Sequence, residues 1–250
     1  MTGRTFAIGD IHGDIAALET VLGRLPPLTA DDTLVFLGDY LDRGPSSREV
    51  IACVREMPRR TKAKVVALRG NHEDAWLRVV ERGWPEFTLP RGNGCLATLR
   101  SFEGRPPPDD DEGMSTEELV ATLKGTFFPP DVVAWMRELP FYYEDAHAIY
   151  VHAGLPLVNG SFPHPAQMKT PAAMLWCRDE HFFRRYSGKL VVFGHTATGL
   201  LPPELSSYTP EDPSDMWAGP CTIGLDTGCG KERGFLTALE LPSKRVYESR

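Results

Sequence analysis

The chain has 250 residues, 42% of them hydrophobic, with 27 Lys and Arg against 34 Asp and Glu and a formal net charge of −7. That length supports one large core with no linker-like interruption, so a single domain over 1–250 is expected, and the acidic balance excludes nucleic acid or anionic lipid bound through bulk charge. Five widely spaced cysteines without a C-x-x-C pair fit neither a disulfide framework nor a zinc knuckle; with no secretory leader pattern and no apolar run of spanning length, a cytoplasmic protein without a membrane partner is expected.

The first half alternates β-rich runs with helical periodicity: TFAIG, DIAALETVLGRL, TLVFLG, SSREVIACVREM, KVVALRG and HEDAWLRVVERG. This is a βαβαβα pattern. In its first helix Ile15, Leu18, Val21, Leu22 and Leu25 share one face, and its second opens with Ser46 and Glu49 at capping-box spacing. Strands joined by helices of this length run parallel with right-handed crossovers, which puts the three strand ends on one edge of a sheet. A less regular region follows, read as a helical cap inserted at about 85–140. It holds GCLATLRSF, a Pro/Asp loop whose acidic tract Asp109–Glu112 reads as solvated, and a helix from Ser115 with Glu118 as a second capping box. After a helix around VVAWMREL the chain is mainly strand: FYYED, AIYVHAG, a loop-rich passage to residue 188, then LVVFGH, TIGLD and FLTALEL.

Five of the apolar runs end in residues of metal-ligand type. AIGDIHG supplies Asp10 and His12, FLGDYLDRG supplies Asp39, Asp42 and Arg43, LRGNHED supplies Asn71 and His72, and YVHAG and VVFGH supply His152 and His195. The glycines ahead of Asp10, Asp39, Asn71 and His195 suit a backbone that turns as it leaves a sheet. A single histidine after a strand is commonly structural, whereas five such exits on elements that share an edge point to one site. Oxygen and imidazole donors without thiolate favour hard or borderline divalent ions such as Mn²⁺, Fe²⁺ or Zn²⁺. Six ligands suit two ions bridged by a carboxylate, an arrangement that activates water against phosphate esters.

The blocks GDIHG, GDYLDRG, RGNHE, VHAG and FGHT resemble those of the calcineurin-like metallophosphoesterases, and within them the phosphoprotein phosphatase superfamily; GLDTGC at 224–229 resembles a block of bacterial members. The resemblance implies an α/β fold, a two-sheet α/β/β/α sandwich. It implies that Asp10, His12 and Asp39 hold one ion and that Asp39, Asn71, His152 and His195 hold the other, with hydroxide between them as nucleophile. His72 is then the general acid, Asp42 the carboxylate that orients it, and Arg43 the bidentate phosphate clamp. Arg178, in a short W-x-R pattern, is a second phosphate-binding candidate, with an exposed arginine at a helix end as the alternative. Arg69 reads as support for its loop, Glu73 and Asp74 as carboxylates that complement a helix N-terminus, and Cys229 as a packed loop residue. The function implied is metal-dependent hydrolysis of phosphomonoesters, chiefly phosphoserine and phosphothreonine in proteins with phosphotyrosine as an extension. The substrate is thus a phosphoprotein or small phosphate ester, and the metal is Mn²⁺, with Fe²⁺ or Zn²⁺ as alternatives. The runner-up is a symmetrical diadenosine tetraphosphate hydrolase, a branch whose pattern lacks the aspartate at position 42. A noncatalytic metal-binding scaffold, the third reading, has no need of Asn71, His72, Asp42 and Arg43 together.

Overall fold

The computed structural model describes residues 3–109, 112–208, 212 and 214–250; Asp110 and Asp111 of the acidic tract lie outside the described residues. The first half is the alternating pattern read from the sequence: β1 (Thr5–Ile8), α1 (Ile15–Arg24), β2 (Thr33–Phe36), α2 (Ser47–Arg60), β3 (Lys64–Ala67) and α3 (Asn71–Arg82). Strands β1, β2 and β3 are parallel, with Phe6 opposite Leu34 and Leu34 opposite Val65. The middle holds α4 (Pro85–Thr88), a 3₁₀ turn (Arg91–Asn93), α5 (Cys95–Glu103), α6 (Thr116–Lys124) and α7 (Pro130–Glu138). The second half supplies β4 (Tyr142–Glu144), β5 (Ile149–Val151), α8 (Glu180–Arg185), β6 (Val191–Phe193), β7 (Trp217–Ala218), β8 (Thr222–Gly224), β9 (Thr237–Leu241) and β10 (Arg245–Glu248).

Among the described residues, ten strands form two five-stranded sheets, in the orders β10-β9-β1-β2-β3 and β4-β5-β6-β8-β7. Alternation along each central strand explains how the sheets stack. Phe6 and Ile8 of β1 join Leu34 and Phe36 of β2 in a core shared with α1, α2 and α3, while Ala7 and Val35 point the other way. There they meet Tyr150 and Val192 of the second sheet, and Val191 and Phe193 turn outward onto Phe182 and Phe183 of α8. Side chains at successive positions alternate faces, so a strand covered on both sides reads as an uninterrupted apolar run. The layers are therefore helix, sheet, sheet, helix. The fully buried Trp76, Tyr40, Phe36 and Leu18 each stabilise the fold by roughly 1.5–3 kcal/mol through burial alone.

The local capping signals meet different outcomes. Ser115 and Glu118 form the expected capping box, with Ser115 N–H donating to Glu118 Oε2 at 2.8 Å and Glu118 N–H to Ser115 Oγ at 3.2 Å. Ser46 makes no side-chain cap bond, contrary to expectation; its N–H donates to the Gly13 carbonyl at 2.8 Å, and the Glu49 carboxylate accepts from Ser101 Oγ at 3.2 Å on the adjacent α5. Helix α2 also runs on through Pro58 to Arg60, past the Met57 where its apolar pattern stops. The passage to residue 188, expected as loop, contains α8 and two 3₁₀ turns. Strands β7 and β10 are additions that the sequence pattern did not announce.

Candidate metal centre

Within each sheet the strands that carry the motifs are parallel, so their C-terminal ends open on one side. Asp10 and His12 follow β1, Asp39 follows β2, Asn71 begins α3 beyond β3, His152 follows β5 and His195 follows β6. All six are buried. The two sheets thereby bring residues 185 positions apart into contact: His195 N–H donates to Asp10 Oδ2 at 2.9 Å. Glycines next to these ligands serve close approach more than turning. A Cβ at Gly194 would lie 1.9 Å from Asp10 Oδ1, and one at Gly70 would lie 2.1 Å from Asp39 Oδ1.

The turns themselves fall on candidate site residues. His12, Asp39, Asp42, Arg43 and His195 have φ of 47°, 54°, 72°, 69° and 66°, a left-handed region that costs a non-glycine residue about 1–2 kcal/mol. Five such residues in one site are held only because the surrounding structure fixes them.

Asp39 is central. Its Oδ1 lies 3.4 Å from His152 Nε2, and its Oδ2 lies 3.5 Å from His12 Nε2 and 3.8 Å from His72 Nε2. Asp10 Oδ2 is 4.0 Å from the same His12 nitrogen. On the other flank Asn71 Oδ1 is 2.8 Å from His152 Nε2 and 2.7 Å from His195 Nδ1. Two ligand-type clusters result, His12–Asp39–His72 and Asp39–His152–His195, with Asp39 in both.

The protonation pattern indicates what is needed to complete this arrangement. Burial lowers the pKa of His12, His152 and His195, so these imidazoles are neutral. His12 Nδ1 and His152 Nδ1 each lie 2.9 Å from a backbone carbonyl, of Leu41 and Leu37, which places the proton there and leaves the Nε2 lone pair free. Burial raises the Asp10 carboxyl well above its usual range, and Asp226 and Asp39 add to the effect. Asp39 is equally buried but held low by the surrounding imidazoles. Neutral rings offer it only dipoles; the ionised direction stands because His72 N–H donates to Oδ1 at 3.0 Å and the His72 ring faces Oδ2. His12 Nε2 is buried without a hydrogen-bond partner. A lone pair aimed at two carboxylates, in a pocket that also holds Asp226, is repulsive unless a cation lies between. The donors present fit a pair of divalent ions.

Beside this cluster stands a second unit. His72 Nδ1 lies 2.6 Å from Asp42 Oδ2, and Asp42 is fully buried. Burial opposes charge on His72, yet Asp39 and the hydrogen bond to Asp42 outweigh it and raise its pKa. Asp42 is itself fixed by Trp76 Nε1 at 3.0 Å and Thr98 Oγ1 at 2.6 Å. The Arg43 Nε is buried and unpartnered. Arg178 is exposed, and its Nε donates to His195 Nε2 at 3.0 Å, which sets it beside a candidate ligand. Arg69 lies over the Phe141 ring at 4.7 Å, in keeping with a supporting role. Cys229 is buried and its thiol pKa pushed up by burial, as a packed residue requires.

Some contributors were not apparent from residue patterns. Glu73 does more than complement a helix dipole: fully buried, it accepts from the backbone N–H of Gly70, Tyr40 and Asp39 at 2.8, 2.9 and 3.0 Å and so braces the loop that carries Asp39. Trp76 and Thr98, which lie within the helical runs HEDAWLRVVERG and GCLATLRSF, fix Asp42 from 34 and 56 positions away. Asp226, 2% exposed, is a carboxylate at a sixth strand end, beyond β8, and the run TIGLD carried the signal.

Known proteins share this arrangement to differing extents. The chain is 34% identical over 89 residues to a protein phosphatase 2A catalytic chain of Dictyostelium discoideum, covering 34% of this chain and 27% of that one. It is 26% identical over 151 residues to a symmetrical bis(5'-nucleosyl)-tetraphosphatase of Neisseria meningitidis, covering 60% of this chain and 43% of that one. These matches thus span less than half the length of either relative. The crystal structure of a metallophosphoesterase from Sphaerobacter thermophilus matches 98% of this chain and 87% of its own, with a TM-score of 0.52 and 17% identity, a likeness of fold. Residues 3–199 match the calcineurin-like phosphoesterase family, and the chain belongs to that family.

Proposed function

We propose that the chain hydrolyses phosphomonoesters, chiefly on phosphoserine and phosphothreonine side chains and also on phosphotyrosine. The observation that carries this reading is the buried Asp42–His72 pair at 2.6 Å, the apparatus for protonating a poor leaving group. Asp10, His12 and Asp39 would hold one divalent ion, and Asp39, Asn71, His152 and His195 the other, with Mn²⁺ the first choice and Fe²⁺ or Zn²⁺ alternatives. When bound, the ions supply a water of lowered pKa and neutralise phosphoryl charge. The chain's own residues do the rest. Arg43, whose buried Nε has no internal partner, grips phosphoryl oxygens, and Arg178 approaches from the side of His195. His72 gives its Nε2 proton to the departing alkoxide. Asp42 keeps the other proton on Nδ1 and stabilises the charged ring, and Trp76 and Thr98 keep Asp42 in place.

The second reading, hydrolysis of symmetrical dinucleoside tetraphosphates, is favoured by the Neisseria meningitidis relative, which matches a larger share of the chain than the phosphatase does. Purified protein with added Mn²⁺, given a phosphoserine peptide and diadenosine tetraphosphate side by side, separates the two by kcat/KM. A higher value for the dinucleotide overturns the phosphoprotein reading, and turnover of neither substrate with any divalent ion overturns both.

A further inference from the structure

A cavity of about 710 Å³ adjoins the site on the Arg43 side. Its apolar wall is formed by Leu89, Leu96, Met114 and Leu119, and its cationic lining by Arg43, Arg91 and Lys231. Continuity with the site is built into the backbone. Gly94, at the junction of the 3₁₀ turn and α5, has φ 78°, and a Cβ there would lie 2.0 Å from Arg43 N, so the cap is seated on the phosphate-gripping residue. At the opposite wall a Cβ on Gly230 would lie 2.7 Å from His12 Cβ. The outer wall is held by the buried Arg100, which pairs with Glu118 and Glu112 at 2.8 Å each.

Two features of this cavity have no internal use. Leu89 is 51% exposed at the cavity wall, and Arg91 and Lys231 have no ion-pair partner among the described residues. Among the described residues the acids on the same wall are Asp109, Glu112 and Glu232; Glu112 is committed to Arg100 and Glu232 lies 3.8 Å from Arg233, which leaves Arg43, Arg91 and Lys231 against Asp109 and gives the lining a surplus of positive charge. A phosphoserine side chain gripped at Arg43 is far too short to fill a space of the size that holds whole ligands.

We propose that this cavity receives the residues flanking the phosphorylated side chain, an apolar side chain against Leu89, Leu96, Met114 and Leu119 and an acidic one against Arg91 and Lys231. This rests on the phosphoprotein reading and gives that reading a sequence preference. Burial of one apolar side chain is worth about 10- to 100-fold in kcat/KM, and the acidic contact adds a few-fold that fades at high salt.

The test uses the full chain with Mn²⁺, p-nitrophenyl phosphate, and phosphoserine peptides in which Leu-Glu or Gly-Gln flanks the phosphoserine on each side in turn. The Leu-Glu peptide is expected to exceed its Gly-Gln counterpart about 10-fold or more on one side. Leu89→Asp and Arg91→Glu, both at exposed positions, should each shrink that ratio. Equal kcat/KM for all peptides, with p-nitrophenyl phosphate still turned over, overturns the docking proposal alone. A ratio untouched by either variant overturns it too, whereas loss of all turnover removes the phosphatase reading beneath it.

Discussion

Replacing Asp42 with asparagine tests the acid assignment most directly. The carboxylate is fully buried, its Oδ2 is 2.6 Å from His72 Nδ1, and Trp76 and Thr98 also bind it. Asparagine keeps the shape and an acceptor oxygen but removes the charge that, together with Asp39, raises the His72 pKa against burial. A charge-assisted hydrogen bond is worth about 1.5–3 kcal/mol, which corresponds to roughly 10- to 150-fold in rate when it acts on the transition state. The expected result is a fall of that size in kcat for a phosphoserine peptide, where the alkoxide needs a proton to leave. For p-nitrophenyl phosphate, whose nitrophenolate leaves without one, the fall should be under about 10-fold. His72→Asn should show the same asymmetry with a loss of about 10²- to 10⁴-fold on the peptide, and the double variant should be little worse than His72→Asn alone. Steady-state kinetics on both substrates at saturating Mn²⁺ decide the matter. Equal losses on the two substrates, or none on the peptide, would refute the proposed proton path.

Four further outcomes follow from other parts of the structure. Glu73→Gln puts an N–H₂ group among three backbone N–H donors and should cost about 1–3 kcal/mol, read by urea unfolding, while weakening metal binding about 10- to 100-fold by titration. Gly94→Ala places a methyl on the Arg43 backbone at positive φ; a loss of at least about 1–2 kcal/mol and a raised KM are expected, and unchanged values of both would contradict the close approach. Chelation should lower Tm: ions at 100 times their Kd contribute about 2.7 kcal/mol, or roughly 5–11 °C for a chain of this size, and a Tm indifferent to chelator would speak against a shared ion site. Asp32 accepts five hydrogen bonds from Arg4 and Thr29, and its folded pKa lies below the ordinary carboxylate value, chiefly through Arg4. Stability from this group is therefore full above the unfolded pKa of about 3.9 and is lost as pH falls below it. Asp32→Asn should destabilise at pH 7 and flatten the acid limb of the stability curve, which denaturant titrations from pH 6 to pH 2 would reveal.

Much of the fold is legible in local pattern because its central strands are sandwiched. Runs such as FAI in β1 and LVF in β2 are continuously apolar since both faces are covered, and the helices between them keep a clean apolar stripe. The candidate ligands could be read for a related reason: each lies just past an apolar strand, where polar chemistry needs an explanation. What could not be read depended on partners far away in sequence. The destination of Glu49 is set by Ser101, that of Trp76 by Asp42 across 34 positions, and that of Glu73 by a loop 33 positions upstream. Strand β7 has two residues and β10 is partly exposed, so neither carries a periodic signal. The glycines before the ligands were visible, but their reason was not, because Gly70 and Gly194 yield space to carboxylates contributed by other strands.

The contact between His195 and Asp10 across 185 positions has a consequence during synthesis. A ribosome releases Asp10, His12 and Asp39 long before His195 and Asp226 exist, so a growing chain carries a half-built cluster that still lacks its last imidazole and carboxylate. Completion of the candidate centre is thus expected only after both sheets have docked. Turnover would then report completed folding from residue 10 to residue 195, and a fragment ending before residue 195 is expected to bind ions weakly and remain silent in a phosphatase assay.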